Sequence, residues 1–143
     1  MPQLNVARQG SGSCFLGGNL YIICGSNEED GPLKSVEKLT VTGAVVGEAW
    51  QLIPAKNFAR DFTPRGWPIV CELNSNEIAI MGGYNGSDLN DVFILYVSTE
   101  KCGKVAQGDQ SFLFHSVKNA SARVGENKVA ALVEGKEGKP VLI

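Results

Sequence analysis

Ile80-Met81-Gly82-Gly83-Tyr84 is the stretch that decides the fold, because it is an apolar run that ends in two glycines and leads into a polar loop. The loop continues through Asp88-Leu89-Asn90-Asp91, and a second apolar run follows it. Short apolar runs bounded by turn residues are typical of buried strands. Glycine permits a sharp turn where a Cβ would collide or where φ must be positive. The stretch therefore predicts two strands of a sheet joined by a polar loop.

The features around this stretch repeat along the chain. Asn5-Val6-Ala7-Arg8 recurs 52 residues later as Asn57-Phe58-Ala59-Arg60, and a looser copy is Asn119-Ala120-Ser121-Ala122-Arg123. After each copy come an apolar run, a turn rich in polar residues and glycine, and a second apolar run. This order predicts a hairpin in each of three units. The second runs of the first two units end in Cys24-Gly25 and Gly82-Gly83.

Each of the first two units continues with two further predicted strands. The third strand is predicted at residues 35–41 and 91–97, and the fourth at residues 49–53 and 111–116. Four strands in a period of about 50 residues is typical of a propeller blade. The third unit is expected to contain only its first hairpin, with strands at residues 129–133 and 141–143.

Taken together, these features resemble the kelch repeat. That repeat has an apolar strand ending in a double glycine, a polar loop, an aromatic-containing strand and a tryptophan. Trp50 stands where the tryptophan of the first unit is expected. The chain departs from the pattern at Cys24, which replaces the first glycine, and at Phe112 or Phe114, which replaces the second tryptophan.

The resemblance implies an all-β fold of kelch-type β-propeller blades, each a four-stranded antiparallel sheet. We expect residues 1–143 to form a propeller segment, with blade 1 at about 8–53, blade 2 at about 60–117 and a partial blade 3 at about 123–143. The expected fold is thus an incomplete propeller of two full blades plus the first hairpin of a third. Because such a segment does not close a ring, a longer chain or another subunit is expected to supply the rest of the propeller.

Several repeated residues have structural explanations. Arg8 and Arg60 can donate hydrogen bonds to carbonyl groups between units, and Asp88 and Asp91 can accept backbone N–H groups in the loop. Trp50 offers a large apolar surface for packing between blades. The residues expected to have structural roles in the repeat are Arg8, Gly25, Trp50, Gly82, Gly83 and Asp91.

Composition excludes some classes of function and location. Thirteen basic and fifteen acidic residues give a net charge of −2, which lacks the basic character of a nucleic-acid-binding surface. No apolar stretch is long enough to predict a membrane span, and the N-terminus lacks the apolar core of a signal peptide. The four cysteines do not have the spacing of a metal site or of a dense disulfide framework. A cytoplasmic protein with buried free thiols is the resulting expectation.

The sequence offers no evident catalytic or metal site. His115 is the only histidine, and it lies in the run predicted as the fourth strand of the second unit. A histidine metal site needs further ligands, and no P-loop or nucleophile-elbow context is present. We therefore expect no catalytic residues, no metal and no cofactor. The alternative is a fragment of a propeller enzyme or carbohydrate-binding protein, similar to galactose oxidase, whose active residues lie outside this segment.

The resemblance instead implies a non-catalytic module that binds a protein or peptide. In kelch propellers, the loops between the second and third strands and those between blades lie on one face. For Phe62 and Arg65, the alternative is that the arginine clamps a turn while the phenylalanine packs inward. The residues expected on the binding face are Asn27, Glu28, Glu29, Asp30, Arg60, Asp61, Phe62, Arg65, Tyr84, Asn85 and Asp88.

Overall fold

A computed structural model describes residues 1–107, 120–125, 128–134 and 140–142, with side chains described through residue 105. These residues form several antiparallel sheets, and one short 3-10 helix spans Ala55–Asn57. The predicted all-β class is therefore confirmed. Within the described ranges no sheet closes on itself. His115 and the rest of the run at 111–116 lie outside the described residues.

Seven strands precede the 3-10 helix. In chain order they are β1 (Gly12–Leu16), β2 (Asn19–Ile23), β3 (Ser26–Asn27), β4 (Gly31–Pro32), β5 (Val36–Thr42), β6 (Val45–Val46) and β7 (Gln51–Leu52). Sheet A has the order β1-β2-β5, and both β6 and β7 pair with β5 at its outer edge. The polar loop between β2 and β5 contains β3 and β4, which pair with each other. The predicted positions of the first unit's strands are thus close to the observed ones.

Within the described residues, sheet B has four antiparallel strands in the order β11-β10-β9-β8. They are β8 (Ile69–Glu72), β9 (Glu77–Tyr84), β10 (Asp88–Tyr96) and β11 (Lys101–Gln107). Strand β11, which the sequence does not predict, pairs with β10 at this edge. The strand predicted at residues 111–116 lies outside the described residues. Only Cys102 is buried among residues 101–105, so β11 lacks the continuous apolar run used to find strands. An antiparallel strand with one solvent-exposed face can do without such a run.

Sheet C contains β12 (Ala120–Gly125), β13 (Lys128–Glu134) and β14 (Pro140–Leu142), in that order. The predicted hairpin of the third unit is present as β13 and β14. However, Arg123 lies inside β12, which pairs with β13, and not in a segment that precedes the sheet. The third copy of the arginine motif therefore overlaps a strand, whereas Arg8 lies in the segment that precedes its sheet.

Sheets A and B pack face to face through one apolar core. Tyr21, Ile23 and Val36 of sheet A belong to the same buried cluster as Ile78 and Leu95 of sheet B. Full burial of an apolar side chain of this size contributes roughly 1.5–3 kcal/mol. The opposite face of sheet B is also apolar, and a second cluster of buried residues covers it: Ile69, Ala79, Met81 and Ile94.

Cys24-Gly25, after β2, and Gly82-Gly83, in β9, have the same backbone conformation. Cys24 has a φ of 58° and Gly82 a φ of 57°, while Gly25 and Gly83 have φ values of 106° and 107°. A Cβ on Gly25 would lie 2.8 Å from the carbonyl oxygen of Gln9. The second glycine therefore lies where a Cβ would collide with the backbone, and Cys24 occupies the position of the first glycine by adopting a left-handed conformation.

Candidate functional site

A buried ion pair connects the N-terminal segment to sheet A. Arg8 donates from Nη1 to the carbonyl oxygens of Cys24 and Ser35, at 3.0 and 2.9 Å. Its Nη2 lies 2.7 Å from Oε1 of Glu37, and neither side chain is accessible to solvent. Glu37 also accepts hydrogen bonds from the backbone N–H groups of Asn5 and Val6. Arg8 thus binds carbonyl oxygens at the end of β2 and just before β5, within its own unit and not between units.

Arg65 makes the same arrangement in sheet B. Its Nη1 donates to the carbonyl oxygen of Gly82 at 2.9 Å and lies 2.5 Å from the carboxylate of Asp91. The guanidinium carbon lies 4.9 Å from the ring centre of Phe62 and 5.2 Å from that of Phe93. Such cation–π contacts strengthen when they are desolvated. Asp91 therefore has a structural role, although its partner is an arginine and not the predicted backbone N–H group.

The structural equivalent of Arg8 is Arg65 and not Arg60, so the predicted match between Arg8 and Arg60 is wrong. Arg60 is exposed, whereas Arg65 and Phe62 are buried. The latter two side chains thus belong to the interior and not to the exposed loop surface. The relevant spacing is the one from the arginine to the carbonyl it binds. It is 16 residues for Arg8 and 17 for Arg65.

Backbone hydrogen bonds bring the polar loops and the linking segments to the same end of both sheets. Gln9 pairs with Ser26, and Gly66 pairs with Tyr84. In addition, the N–H of Gly25 donates to the carbonyl oxygen of Arg65 at 3.0 Å. We call this region the loop end, and it consists of residues 7–10, 26–33, 61–67 and 84–88. The structure thus brings together the segments expected to form the binding face.

The loop of sheet A is held by Asn27. Its Oδ1 accepts the backbone N–H of Asp30 at 2.6 Å, and its Nδ2 donates to the carbonyl oxygen of Ala7 at 3.1 Å. Glu28, Glu29 and Asp30 are exposed. Residues 7–9 and 26–29 line an open depression of about 530 Å³. We call it the loop-end depression. The exposed residues Glu28 and Glu29 are among those that line it.

The loop of sheet B is also anchored to a linking segment. The Nδ2 of Asn85 lies 3.4 Å from Oγ1 of Thr63, and the side chain of Tyr84 is 41% exposed. Asp88 is half-buried at the start of β10. Asp61 is exposed and lies 3.7 Å from the Nζ of Lys104. Of the predicted site residues, the loop end therefore exposes Tyr84, Asn85 and Asp61 together with the acidic loop of sheet A.

Trp67 also belongs to this surface, although no sequence argument selected it. Its backbone N–H donates to the carbonyl oxygen of Gly10 at 2.6 Å, and its φ is 49°. A Cβ on Gly10 would lie 2.5 Å from the indole nitrogen, so the ring lies directly on Gly10. Trp67 is nevertheless 39% exposed. The sequence feature that could have identified Trp67 is an aromatic residue in the linking segment just before β8.

Trp50, by contrast, is buried. Its Nε1 donates to the carbonyl oxygen of Pro2 at 3.1 Å, and Asn5 donates from its side chain to the carbonyl oxygen of Trp50. The indole thus packs sheet A against the N-terminal segment. In this position the ring buries a large apolar area while its polar N–H is satisfied, and its packing between blades stays a prediction.

The titratable groups of the interior have shifted pKa values. Burial raises the pKa of Cys24 and Cys102 to about 12, and burial, with smaller contributions from Glu72 and Cys71, raises that of Cys14 to about 11. These thiols therefore stay protonated at neutral pH. Burial also disfavours the charged form of Glu37, but hydrogen bonds from Asn5 and Val6 and the charge of Arg8 together lower its pKa.

The described residues contain no cluster of three or more His, Cys, Asp or Glu side chains suited to bind a metal ion. None of the helical structure described here is long and apolar enough to cross a membrane. No family model and no curated protein matches the chain.

Proposed function

We propose that the chain is a segment of a kelch-like β-propeller that acts as a non-catalytic interaction module and binds a protein or peptide through its loop end. One observation carries this proposal: two loops and two linking segments form one surface. The backbone pairs Gln9–Ser26 and Gly66–Tyr84 join them. Exposed Tyr84 and Trp67 lie on this surface. Tyrosine and tryptophan are enriched at the energetically dominant positions of protein interfaces.

The propeller part of the proposal is supported by the repeated register of the two sheets. Leu20 pairs with Leu39 in sheet A, as Ile78 pairs with Leu95 in sheet B. Ile78 and Leu95 are fully buried in the core shared with sheet A. Their counterparts in sheet A therefore lie on its other face, away from sheet B.

That other face of sheet A is apolar and partly exposed. Leu20 and Ile22 are half-buried, and Phe15, which pairs with Leu20, is 56% exposed. A further sheet of the same kind would bury these side chains as sheet A buries those of sheet B. Repeating units that each bury an apolar face against the next are typical of propellers and other repeat proteins. The proposed partner at this face is the rest of the propeller, supplied by a longer chain or another subunit.

The rigidity of the loop end supports a role in recognition. The ion pairs Arg8–Glu37 and Arg65–Asp91 connect each linking segment to its sheet beside the loops. A surface held in one conformation loses less entropy when it binds a partner. Loops on a rigid scaffold are a common location for binding residues.

The proposal can be tested by selecting ligands from a displayed library of random peptides with the full chain. Selected peptides are synthesised, and their affinities are measured for the parent protein and for Tyr84→Ala and Asn85→Ala. The matched control is Val45→Ala, since Val45 is 70% exposed at the β5–β6 hairpin, at the opposite end of sheet A. We expect the loop-end variants to weaken binding and the control to leave it unchanged. Binding that is insensitive to both loop-end variants would contradict the proposed function.

A further inference from the structure

Another pocket lies at the opposite end of sheet B, since β10 begins at the loop end and finishes at Tyr96. The segment that follows the 3-10 helix runs beside the start of β11. There Phe58 forms a parallel bridge with Cys102, and the N–H of Ala59 donates to the carbonyl oxygen of Cys102 at 2.9 Å. This segment, the helix and the β10–β11 turn line an open pocket of about 430 Å³. That volume is within the range of small-molecule sites.

Strand pairing places an aromatic ring and a cation next to each other in this pocket. Tyr96 of β10 lies directly opposite Lys101 of β11, so both side chains project from the same face of sheet B. Both residues line the pocket, and Lys56 of the 3-10 helix lines it as well. Tyr96 also packs against the second apolar cluster of sheet B. The pocket therefore combines an apolar wall with two amino groups.

The charge of the pocket is positive. Lys56 and Lys101 are exposed, and the residues that line the pocket include no Asp or Glu. Among the described side chains neither lysine forms an ion pair, and Glu100 in the adjoining turn is paired with a lysine of sheet A. Glu77 lies on the same face but beyond Tyr96, where it accepts a hydrogen bond from Asn74. The two ammonium groups of the pocket thus have no counter-charge within the described part of the chain.

The pocket is open above Gly103. This residue lines the pocket and projects from the same face as Lys101, two positions before it in β11. A Cβ on Gly103 would meet nothing within 4 Å. Its φ is not in the left-handed region, so the backbone there does not require glycine. The missing side chain of Gly103 therefore leaves free space beside the ring of Tyr96 and the amino group of Lys101.

We infer that this pocket binds a small organic anion, namely a carboxylate or a phosphate monoester with an apolar body. Lys56 and Lys101 neutralise the anionic group, and the apolar body packs against Tyr96 in the space above Gly103. The ammonium group of lysine is a compact charge with three hydrogen-bond donors, which suits either kind of anion. A cationic ligand would instead meet two ammonium groups without a counter-charge. The pocket is separate from the loop end, so this inference goes beyond the proposed function.

The experiment titrates the full chain with four probes. Phenyl phosphate and phenylacetate distinguish the two kinds of anion, inorganic phosphate tests the need for the apolar body, and phenethylamine is the cationic counterpart. Backbone amide signals in NMR spectra report the location of binding, and their titration gives the affinity. The key variant is Lys56→Gln/Lys101→Gln, and its control is Lys34→Gln, at an exposed lysine between β4 and β5. A second variant, Gly103→Leu, fills the pocket.

We expect at least one aromatic anion to bind, with signal changes at residues 56–59 and 96–103 and an affinity that falls as salt rises. Inorganic phosphate should bind more weakly, and phenethylamine should not bind. The double lysine variant should weaken binding roughly tenfold, and Lys34→Gln should leave it unchanged. Gly103→Leu should prevent binding without lowering the melting temperature, because the added side chain enters free space.

Three results would overturn the inference. They are the absence of binding by both aromatic anions, equal binding of phenethylamine, and binding that the double lysine variant does not weaken. If Gly103→Leu does not fold, the comparison of the lysine variants still decides. Binding of peptides at the loop end is measured separately, so the loss of this pocket as a site would leave the proposed interaction module intact.

Discussion

The Nη2 atom of Arg8 lies 2.7 Å from the Oε1 atom of Glu37, and both side chains are inaccessible to solvent. Glu37 collects further hydrogen bonds from Asn5 and Val6, so one carboxylate connects the N-terminal segment to β5. A buried charge is tolerated only when its partners compensate for the lost hydration. The contribution of this pair is therefore best tested by removing one of its members.

Glu37→Gln should destabilise the protein by about 3–5 kcal/mol, because the substitution leaves the guanidinium of Arg8 buried without a counter-charge. The free energy of unfolding can be measured by urea denaturation. Glu48→Gln is the matched control, and as an exposed substitution it should change stability by less than about 0.5 kcal/mol. Equal stability of the two variants would contradict the role assigned to Glu37.

The carboxylate of Glu37 should also make the free energy of unfolding depend on pH. The folded-state pKa of Glu37 lies below its ordinary value of 4.5, so folding favours the charged form. Its contribution is fully present above about pH 4.5 and is lost as the pH falls through the lower, folded-state pKa. Between about pH 6 and pH 3, the stability difference between the parent protein and Glu37→Gln should therefore shrink. Parallel pH profiles would show that Glu37 is not responsible.

The assignment of Arg65 as the equivalent of Arg8 gives a direct comparison of two arginines. Arg65→Met should cost about 3 kcal/mol or more, because Asp91 and the carbonyl oxygen of Gly82 lose their donor inside the protein. Arg60→Met should have an effect of less than about 0.5 kcal/mol, because Arg60 is exposed. Thermal and urea unfolding of both variants would decide the matter. A larger loss of stability for Arg60→Met than for Arg65→Met would instead support Arg60 as the equivalent of Arg8.

These arginines also indicate how far sequence reasoning could go. Continuous apolar runs predict the inner hairpins of sheets A and B correctly, because these strands carry apolar residues on both faces, although one face of sheet A is partly exposed. The predicted equivalence of Arg8 and Arg60 is wrong because the role of the arginine depends on its hydrogen bond to a carbonyl oxygen at the end of the next hairpin. It does not depend on the identity of the neighbouring residues. Strand β11 was missed because an antiparallel strand with one solvent-exposed face needs few apolar residues. The exposure of Trp67 depends on contact with Gly10, which only the folded chain shows.

The double-glycine turn predicts a contrast between two glycines. Gly83 has a φ of 107°, and a Cβ there would lie 2.7 Å from the backbone oxygen of Gly66. Gly17 has a φ of 58°, but a Cβ there would meet nothing within 4 Å. Gly17→Ala should therefore cost about 1 kcal/mol from backbone strain alone. Gly83→Ala should cost clearly more, since strain and collision with the backbone combine. Similar melting temperatures for the two variants would argue against the close approach.

The buried cysteines predict a characteristic pattern of thiol reactivity. Burial raises the pKa of Cys24 and Cys102 to about 12, whereas an ordinary cysteine has a value of 9.0. The reactive thiolate is therefore about a thousandfold scarcer at these positions than in the unfolded chain. Cys14 is half-buried and has a pKa of about 11, so it should react first. We expect labelling with a thiol reagent at pH 8 to be slow in the native protein and rapid for all four cysteines in urea. A Cys14→Ser variant should lose the fastest native phase, and rapid native labelling of Cys24 or Cys102 would show that the core between the two sheets opens readily.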